Sequence, residues 1–174
     1  NVLNSQNDYD NAAKYFEKSI KINTELNDIE MKMNASVGLS VSLLRSGNIL
    51  KAQELLEKIL NDQSLISDFT FSEASVNLAH VYKSLKAFPS AQSLYKFVIN
   101  DEKGSAYPPA VAAAYLGLAE VFIQTNQIEE AIDIYQKGII EVKNKISVES
   151  EMALYENLAK LELSQGRFEA AATV

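Results

Sequence analysis

His80 is the only histidine in this 174-residue chain, and cysteine is absent. A histidine-based triad or a multi-histidine metal site would have to be assembled around that single imidazole, with no thiolate to assist. Carboxylates stand side by side at Asp101-Glu102 and Glu129-Glu130, the residue type of general acid and base chemistry. Adjacent carboxylates on a loop or at an exposed helix start are ordinarily solvated charges that favour the positive end of a helix. The six glycines, Gly38, Gly47, Gly104, Gly117, Gly138 and Gly166, form neither a dinucleotide fingerprint nor a phosphate loop. With nucleophile, base and orienting group never brought together, the chain reads as a non-enzyme that needs no metal and no cofactor. Tyr and Phe recur at helical spacing, so their default role is core packing rather than base stacking.

Charge and composition narrow the partners. Sixteen Lys and Arg against 23 Asp and Glu give a formal charge of −7, which repels a phosphate backbone or an anionic membrane surface on average. Neither nucleic acid nor membrane is expected as a partner. The excess is uneven: residues 1–109 carry 11 basic and 13 acidic side chains, and residues 110–174 carry 5 and 10, so a basic partner would favour the C-terminal part. Hydrophobic content of 47%, with only 3 Pro and 6 Gly, supports a buried core built from helices, an all-α class. Lack of cysteine fits a reducing, intracellular and cytoplasmic setting. No apolar run approaches the roughly 20 residues that span a bilayer, and Asn1-Val2-Leu3-Asn4 opens nothing like a signal peptide. The glycosylation triplet Asn34-Ala35-Ser36 falls inside an expected helix and carries little weight.

The elements that must position any site repeat along the chain. An alanine followed four residues later by a large side chain recurs as Ala12 with Phe16, Ala52 with Leu56, Ala91 with Tyr95 and Ala131 with Tyr135, and Ala171 opens a fifth copy. The period is about 40 residues, the mark of a stacked array. Three residues before each anchor stands Tyr9, Ile49, Phe88, Ile128 or Phe168, and two before that a turn residue, Asn7, Gly47, Asn126 or Gly166, with Lys86 as the exception. Upstream lies a second set in phase: Leu39-Ser40, Leu78-Ala79, Leu118-Ala119 and Leu158-Ala159, followed three residues on by Leu43, Tyr82, Phe122 and, against the pattern, Glu162. Spacings of i, i+3, i+4 and i+7 put these residues on one helical face, so each repeat is an antiparallel pair of helices, A then B. Small residues allow the axes to approach, large ones fill the grooves, and one pair alone cannot bury both faces.

Cap signals place the boundaries. Thr70-Phe71-Ser72-Glu73 reads as a capping box, and Pro108-Pro109 suits a first helical turn. The spacing predicts helices over 8–27, 30–46, 49–61, 69–85, 88–100, 109–125, 128–144, 148–165 and 168–174. A single array follows, with a partial repeat at 1–28, repeats at 29–67, 68–107 and 108–147, and a partial repeat at 148–174. In this register Leu3 takes the aromatic position of a helix A cut short and Val174 stops inside a helix B, which reads as an excerpt of a larger solenoid.

Leu-Ala then an aromatic, a turn, then Ala and an aromatic resembles the tetratricopeptide repeat family. Asn77-Leu78-Ala79-His80-Val81-Tyr82 and Ile128-Glu129-Glu130-Ala131-Ile132-Asp133-Ile134-Tyr135 carry the resemblance, which spans essentially the whole chain. The 40-residue period departs from the standard 34, and the proline that usually closes helix B is missing. The longer period is similar to the repeats of kinesin light chains and of spindle-orientation adaptors, whose arrays bind peptide segments.

The resemblance implies a right-handed superhelical solenoid with A helices lining a concave groove. By register, the positions facing a partner are Asn34, Val37, Gly38, Val41 and Arg45, then Glu73, Val76, Asn77, His80 and Ser84. Ala113, Leu116, Gly117, Glu120 and Gln124 follow, and then Ala153, Glu156, Asn157 and Lys160. Asn77 and Asn157 precede the Leu-Ala pair, where related arrays pair an asparagine amide with an extended peptide backbone; a solvated amide, or one bonded to a neighbouring repeat, is the plainer alternative. Gly38 and Gly117 share that register and leave room instead. Val37, Val41, Ala113 and Gly117 fill the places where a chaperone-tail clamp needs Lys, Arg and Asn, so no such clamp is expected.

The function implied is a protein or peptide-binding adaptor belonging to a larger chain or complex. Two alternatives stand beside it: a structural scaffold that uses its convex faces or edges, and a regulatory sensor region of a multidomain protein.

Overall fold

The computed structural model describes residues 2–167 and Ala171. Among these residues the chain is all-helical: α1 Val2–Glu25, α2 Ile29–Arg45, α3 Ile49–Asn61, α4 Asp68–Ser84, α5 Phe88–Asn100, α6 Pro108–Gln124, α7 Ile128–Val142 and α8 Val148–Ser164. Short 3₁₀ turns at Gln63–Leu65 and Gly104–Ala106 lead into α4 and α6. The helix expected over 168–174 lies outside the described residues apart from Ala171, as do its Phe168 and Val174. Leu3 falls in α1, and its side chain is likewise outside them.

The expected turn at Asn7 is not there. Instead α1 runs unbroken from Val2 to Glu25. Asparagine in a helix costs only about 0.7 kcal/mol relative to alanine, less than the backbone hydrogen bonds a break would expose. The expected capping box at Thr70 is also corrected. Ser67 is the N-cap, its hydroxyl accepting from the Thr70 backbone N–H at 3.2 Å. Thr70 is completely buried, and its own hydroxyl lies 2.7 Å from the Glu30 carboxylate and 2.5 Å from Asn34 Oδ1 on α2. Burial works to raise the Glu30 pKa, but hydrogen bonds from Ser67 and Thr70 outweigh it and hold the carboxyl below its ordinary range. Thr70 therefore joins two repeats instead of capping one helix.

Each A-to-B connection uses one geometry. Gly47, Lys86, Asn126 and Gly166 all have positive φ, from 58° to 86°. The next residue in each case donates to the carbonyl five positions back: Asn48 to Leu43, Ala87 to Tyr82, Gln127 to Phe122 and Arg167 to Glu162, at 2.8–3.0 Å. This left-handed closure satisfies carbonyls that the helix end would leave bare. Lys86 thus occupies the same turn position as the glycines despite its side chain.

Packing repeats in register with the turns. Helices α2, α4, α6 and α8 touch in sequence and form the inner row, the outer helices α3, α5 and α7 each wedge between two consecutive inner ones, and α1 packs on α2. The anchors Ala52, Ala91 and Ala131 are completely buried, and Leu56, Tyr95 and Tyr135 four residues later are at most 1% exposed. Tyr82, Leu94 and Phe97 touch both the core around α2–α4 and the core around α4–α8, making the interior continuous. Glu162, where the pattern expects an aromatic, is buried with the Arg167 guanidinium 3.6 Å away. Arg167 also bonds Glu129 on α7, so an ion-paired group replaces a ring at this contact.

Candidate functional site

The inner row leaves a groove of about 600 Å³ across α2, α4 and α6. It is lined by Val41, Leu44 and Arg45, by Asn77, His80, Lys83 and Ser84, and by Ala113, Leu116, Gly117 and Glu120. Three helices contribute because side chains spaced by three and four residues share one face on each. Lys83 and Glu120 bond across α4 and α6 at one end. Arg45, at the last turn of α2, makes no ion pair with a described residue and leaves a cationic head in the groove. Among the described residues no three His, Cys, Asp or Glu side chains gather into a metal-binding group, and no helix is long and apolar enough to cross a membrane.

The groove floor is set from the outer layer. Tyr95 on α5 is completely buried, and its hydroxyl lies 2.6 Å from His80 Nδ1 on α4, with the two rings edge to face at 5.4 Å. The phenol reaches that point because position 117 is glycine: a β-carbon there would lie inside van der Waals contact of Tyr95 Cζ and Oη. Gly38 stands in the same relation to Phe16 on α1. The room that the sequence assigns to these two glycines is therefore filled by rings from the preceding outer helix. Burial, reinforced by the positive charges of Lys83 and Arg45, pushes the His80 pKa down to about 3. Burial likewise raises the Tyr95 hydroxyl well above its ordinary range, with the Glu120 charge adding to it.

Of the expected partner-facing residues, Val41, Arg45, Asn77, His80, Ser84, Ala113, Leu116, Gly117 and Glu120 come together in this groove. Val37 is a correction. It is 1% exposed and packs in the core with Met33, Ala52 and Leu56, because its stripe of α2 faces the outer helices and no surface remains for a partner. Asn34 is half-buried and occupied with Thr70. Glu73 lies outside the groove lining, half-buried, with its carboxyl pKa raised by desolvation. Gln124 is exposed at the end of α6. Glu156 and Lys160 pair at 3.1 Å on an exposed stretch of α8. Asn77 and Asn157 each donate through Nδ2 to a carbonyl one turn back, Glu73 at 2.9 Å and Ala153 at 2.7 Å, but only Asn77 lines the groove.

Leu44 and Lys83 are lining residues that register reasoning missed, as was Tyr95, which shapes the floor from beneath. For Lys83 a signal existed in its position one turn after His80 on the same helix, next to Ser84. Tyr95 carried only the signal of a core anchor.

Comparison with known proteins agrees with the fold of stacked helix pairs. Family models described as tetratricopeptide repeat match residues 76–146 and residues 1–25. No curated protein sequence matches the chain. Among solved structures, a Podosopora anserina protein described as a kinesin light chain with nearly identical TPR-like repeats superposes with a TM-score of 0.68 at 19% identity, covering 99% of this chain and 86% of its own. BtubC (BKLC) from P. vanneervenii superposes with a TM-score of 0.69 at 20% identity, covering 95% and 70%. A MamA RS-1 double mutant gives 0.56 at 16% identity, covering 93% and 89%. At these identities the likeness is one of fold. Models of one repeat family match more than half of the residues, on helices that stack in pairs with a common turn, and the chain belongs to the tetratricopeptide repeat family.

Proposed function

We propose that the chain is a non-catalytic module that holds an extended peptide or protein segment in the groove between α2, α4 and α6. Repeats of this family generally serve protein–protein interaction. The observation that carries the finer reading is the convergence of Arg45, Asn77, His80 and Glu120 on one groove beside the apolar side chains of Val41, Leu44, Ala113 and Leu116, a polar set able to orient a ligand that also makes apolar contact. Asn77 spends one amide hydrogen on Glu73, which leaves a second donor and the Oδ1 acceptor for a peptide unit. In this reading the repeats at 29–67, 68–107 and 108–147 each contribute one inner helix. Net charge makes nucleic acid and anionic membrane poor partners, and a cysteine-free chain suits the cytoplasm.

A displayed library of random peptides, selected on the wild type, on Asn77→Ala and on Ser84→Trp, tests this. Ser84 is exposed, so a large side chain there obstructs the groove without disturbing the core. The expected result is one enriched motif on the wild type that both variants lose while helicity and melting are unchanged. Equal enrichment on all three proteins would remove the groove as the site.

A second reading rests on a shallower depression of about 620 Å³ on the outer side, lined by Leu78, Tyr82, Pro89, Ser90, Ser93, Leu94 and Phe97. That surface suits a scaffold that docks through its convex face. It offers hydroxyls but no charged side chain, and the polar convergence favours the inner groove.

A further inference from the structure

Tyr95 decides which nitrogen of His80 carries a proton. The Tyr95 hydroxyl is buried and has one described partner, His80 Nδ1 at 2.6 Å. If Nδ1 carried a hydrogen and donated, the phenolic proton would be buried without an acceptor, an arrangement that proteins avoid. The phenol therefore donates and Nδ1 accepts. A neutral imidazole whose Nδ1 accepts bears its hydrogen on Nε2. Lys83 and Arg45 both face the ring and disfavour a second proton. Nε2–H has no partner among the described residues, and His80 lines the groove one turn from Asn77.

We propose that His80 is a specificity-determining donor of the groove, held as the Nε2–H tautomer by Tyr95 through the gap at Gly117, and that it takes a backbone carbonyl oxygen of a bound extended peptide. This rests on the peptide-groove reading and adds to it a fixed donor beside the Asn77 amide. Tyr95 is the positioning residue, since it touches His80 and not the ligand. Gly117 is what admits the phenol to that place. A groove whose donor cannot become an acceptor discriminates against a ligand that offers N–H at this point, because two donors would then face each other in a half-buried site.

The test has two arms. With one histidine in the chain, ¹⁵N-histidine labelling gives a single imidazole, and long-range ¹H–¹⁵N correlation at neutral pH reports its tautomer. The expected spectrum shows bare Nδ1 and protonated Nε2 in the wild type and a mixture in Tyr95→Phe. A protonated Nδ1 in the wild type overturns the proposal. The second arm measures binding of the peptides selected from the library on the wild type. His80→Leu should weaken them about tenfold, the loss of one hydrogen bond of typical strength, and His80→Gln, which keeps a donor, should recover most of it. Tyr95→Phe should weaken binding severalfold with circular dichroism unchanged. If peptides bind His80→Leu as they bind the wild type, the donor role fails while the groove reading survives. If the library yields nothing on the wild type, the groove reading itself fails and the donor role with it, whatever the tautomer.

Discussion

At the scale of single residues, the glycines show how a residue type can be read correctly and its use still missed. Gly38 and Gly117 are small for a reason, as the sequence suggests, but the space belongs to Phe16 and Tyr95 and not to a ligand. Only the three-dimensional neighbour on the preceding outer helix reveals this, since it lies 22 residues away in both cases. Gly117→Ala should destabilise by about 1–3 kcal/mol, the usual cost of forcing extra volume into a packed contact. Chemical denaturation checks it, and Gly117→Ala combined with Tyr95→Leu should recover part of the loss. His80 adds a pH signature. Its pKa is 6.5 in an ordinary environment and about 3 in the fold, so on acidification the unfolded chain gains a proton that the folded chain refuses. The stability it supports is complete above about pH 6.5 and erodes as pH falls toward 3, by up to about 1.4 kcal/mol per unit. Between about pH 7 and pH 5, above the range where Glu30 and Glu129 titrate, the denaturation midpoint of the wild type should fall more steeply than that of His80→Gln. Parallel slopes would contradict the neutral, half-buried imidazole.

At the scale of elements, the helices were legible because period and turn chemistry agree. The expected spans over 49–61 and 88–100 match α3 and α5 residue for residue, and α2, α4 and α6 begin and end within one residue of expectation. Pro108 and Pro109 sit in the first turn of α6, as the sequence suggests. What failed was local. Asn7 carries a turn residue's identity but lies within the unbroken α1, and Thr70 carries a cap residue's identity while its hydroxyl serves α2. Lys86 departs from the glycine and asparagine of its counterparts, yet adopts their left-handed backbone at φ 58°. A β-carbon there costs roughly 1 kcal/mol. Lys86→Gly should therefore raise stability by about that amount, and Lys86→Val should lower it; thermal melting of the two variants separates this account from one in which the turn is indifferent to side chain.

At the scale of the molecule, fold class and array were readable because a 40-residue repeat leaves many independent marks, and the groove was readable only in part. Register places a stripe on each inner helix, but curvature decides which part of each stripe shares one cavity. Val41, Arg45, Asn77, His80 and Glu120 meet; Val37 turns into the core, and the residues of α8 remain apart from that groove. The Lys83–Glu120 bond between α4 and α6 belongs to this larger scale, because neither residue carries meaning until the two helices are stacked. The claim that the inner groove, and not the outer depression, receives the ligand is tested most directly by placing a photo-crosslinker on each face. The chain lacks cysteine, so Gln124→Cys, exposed one turn beyond Glu120 at the groove's edge, and Ser93→Cys on the outer side each give one attachment point. With the library-selected peptide, crosslinking should occur from position 124 and not from position 93; capture from position 93 with none from position 124 would contradict the account.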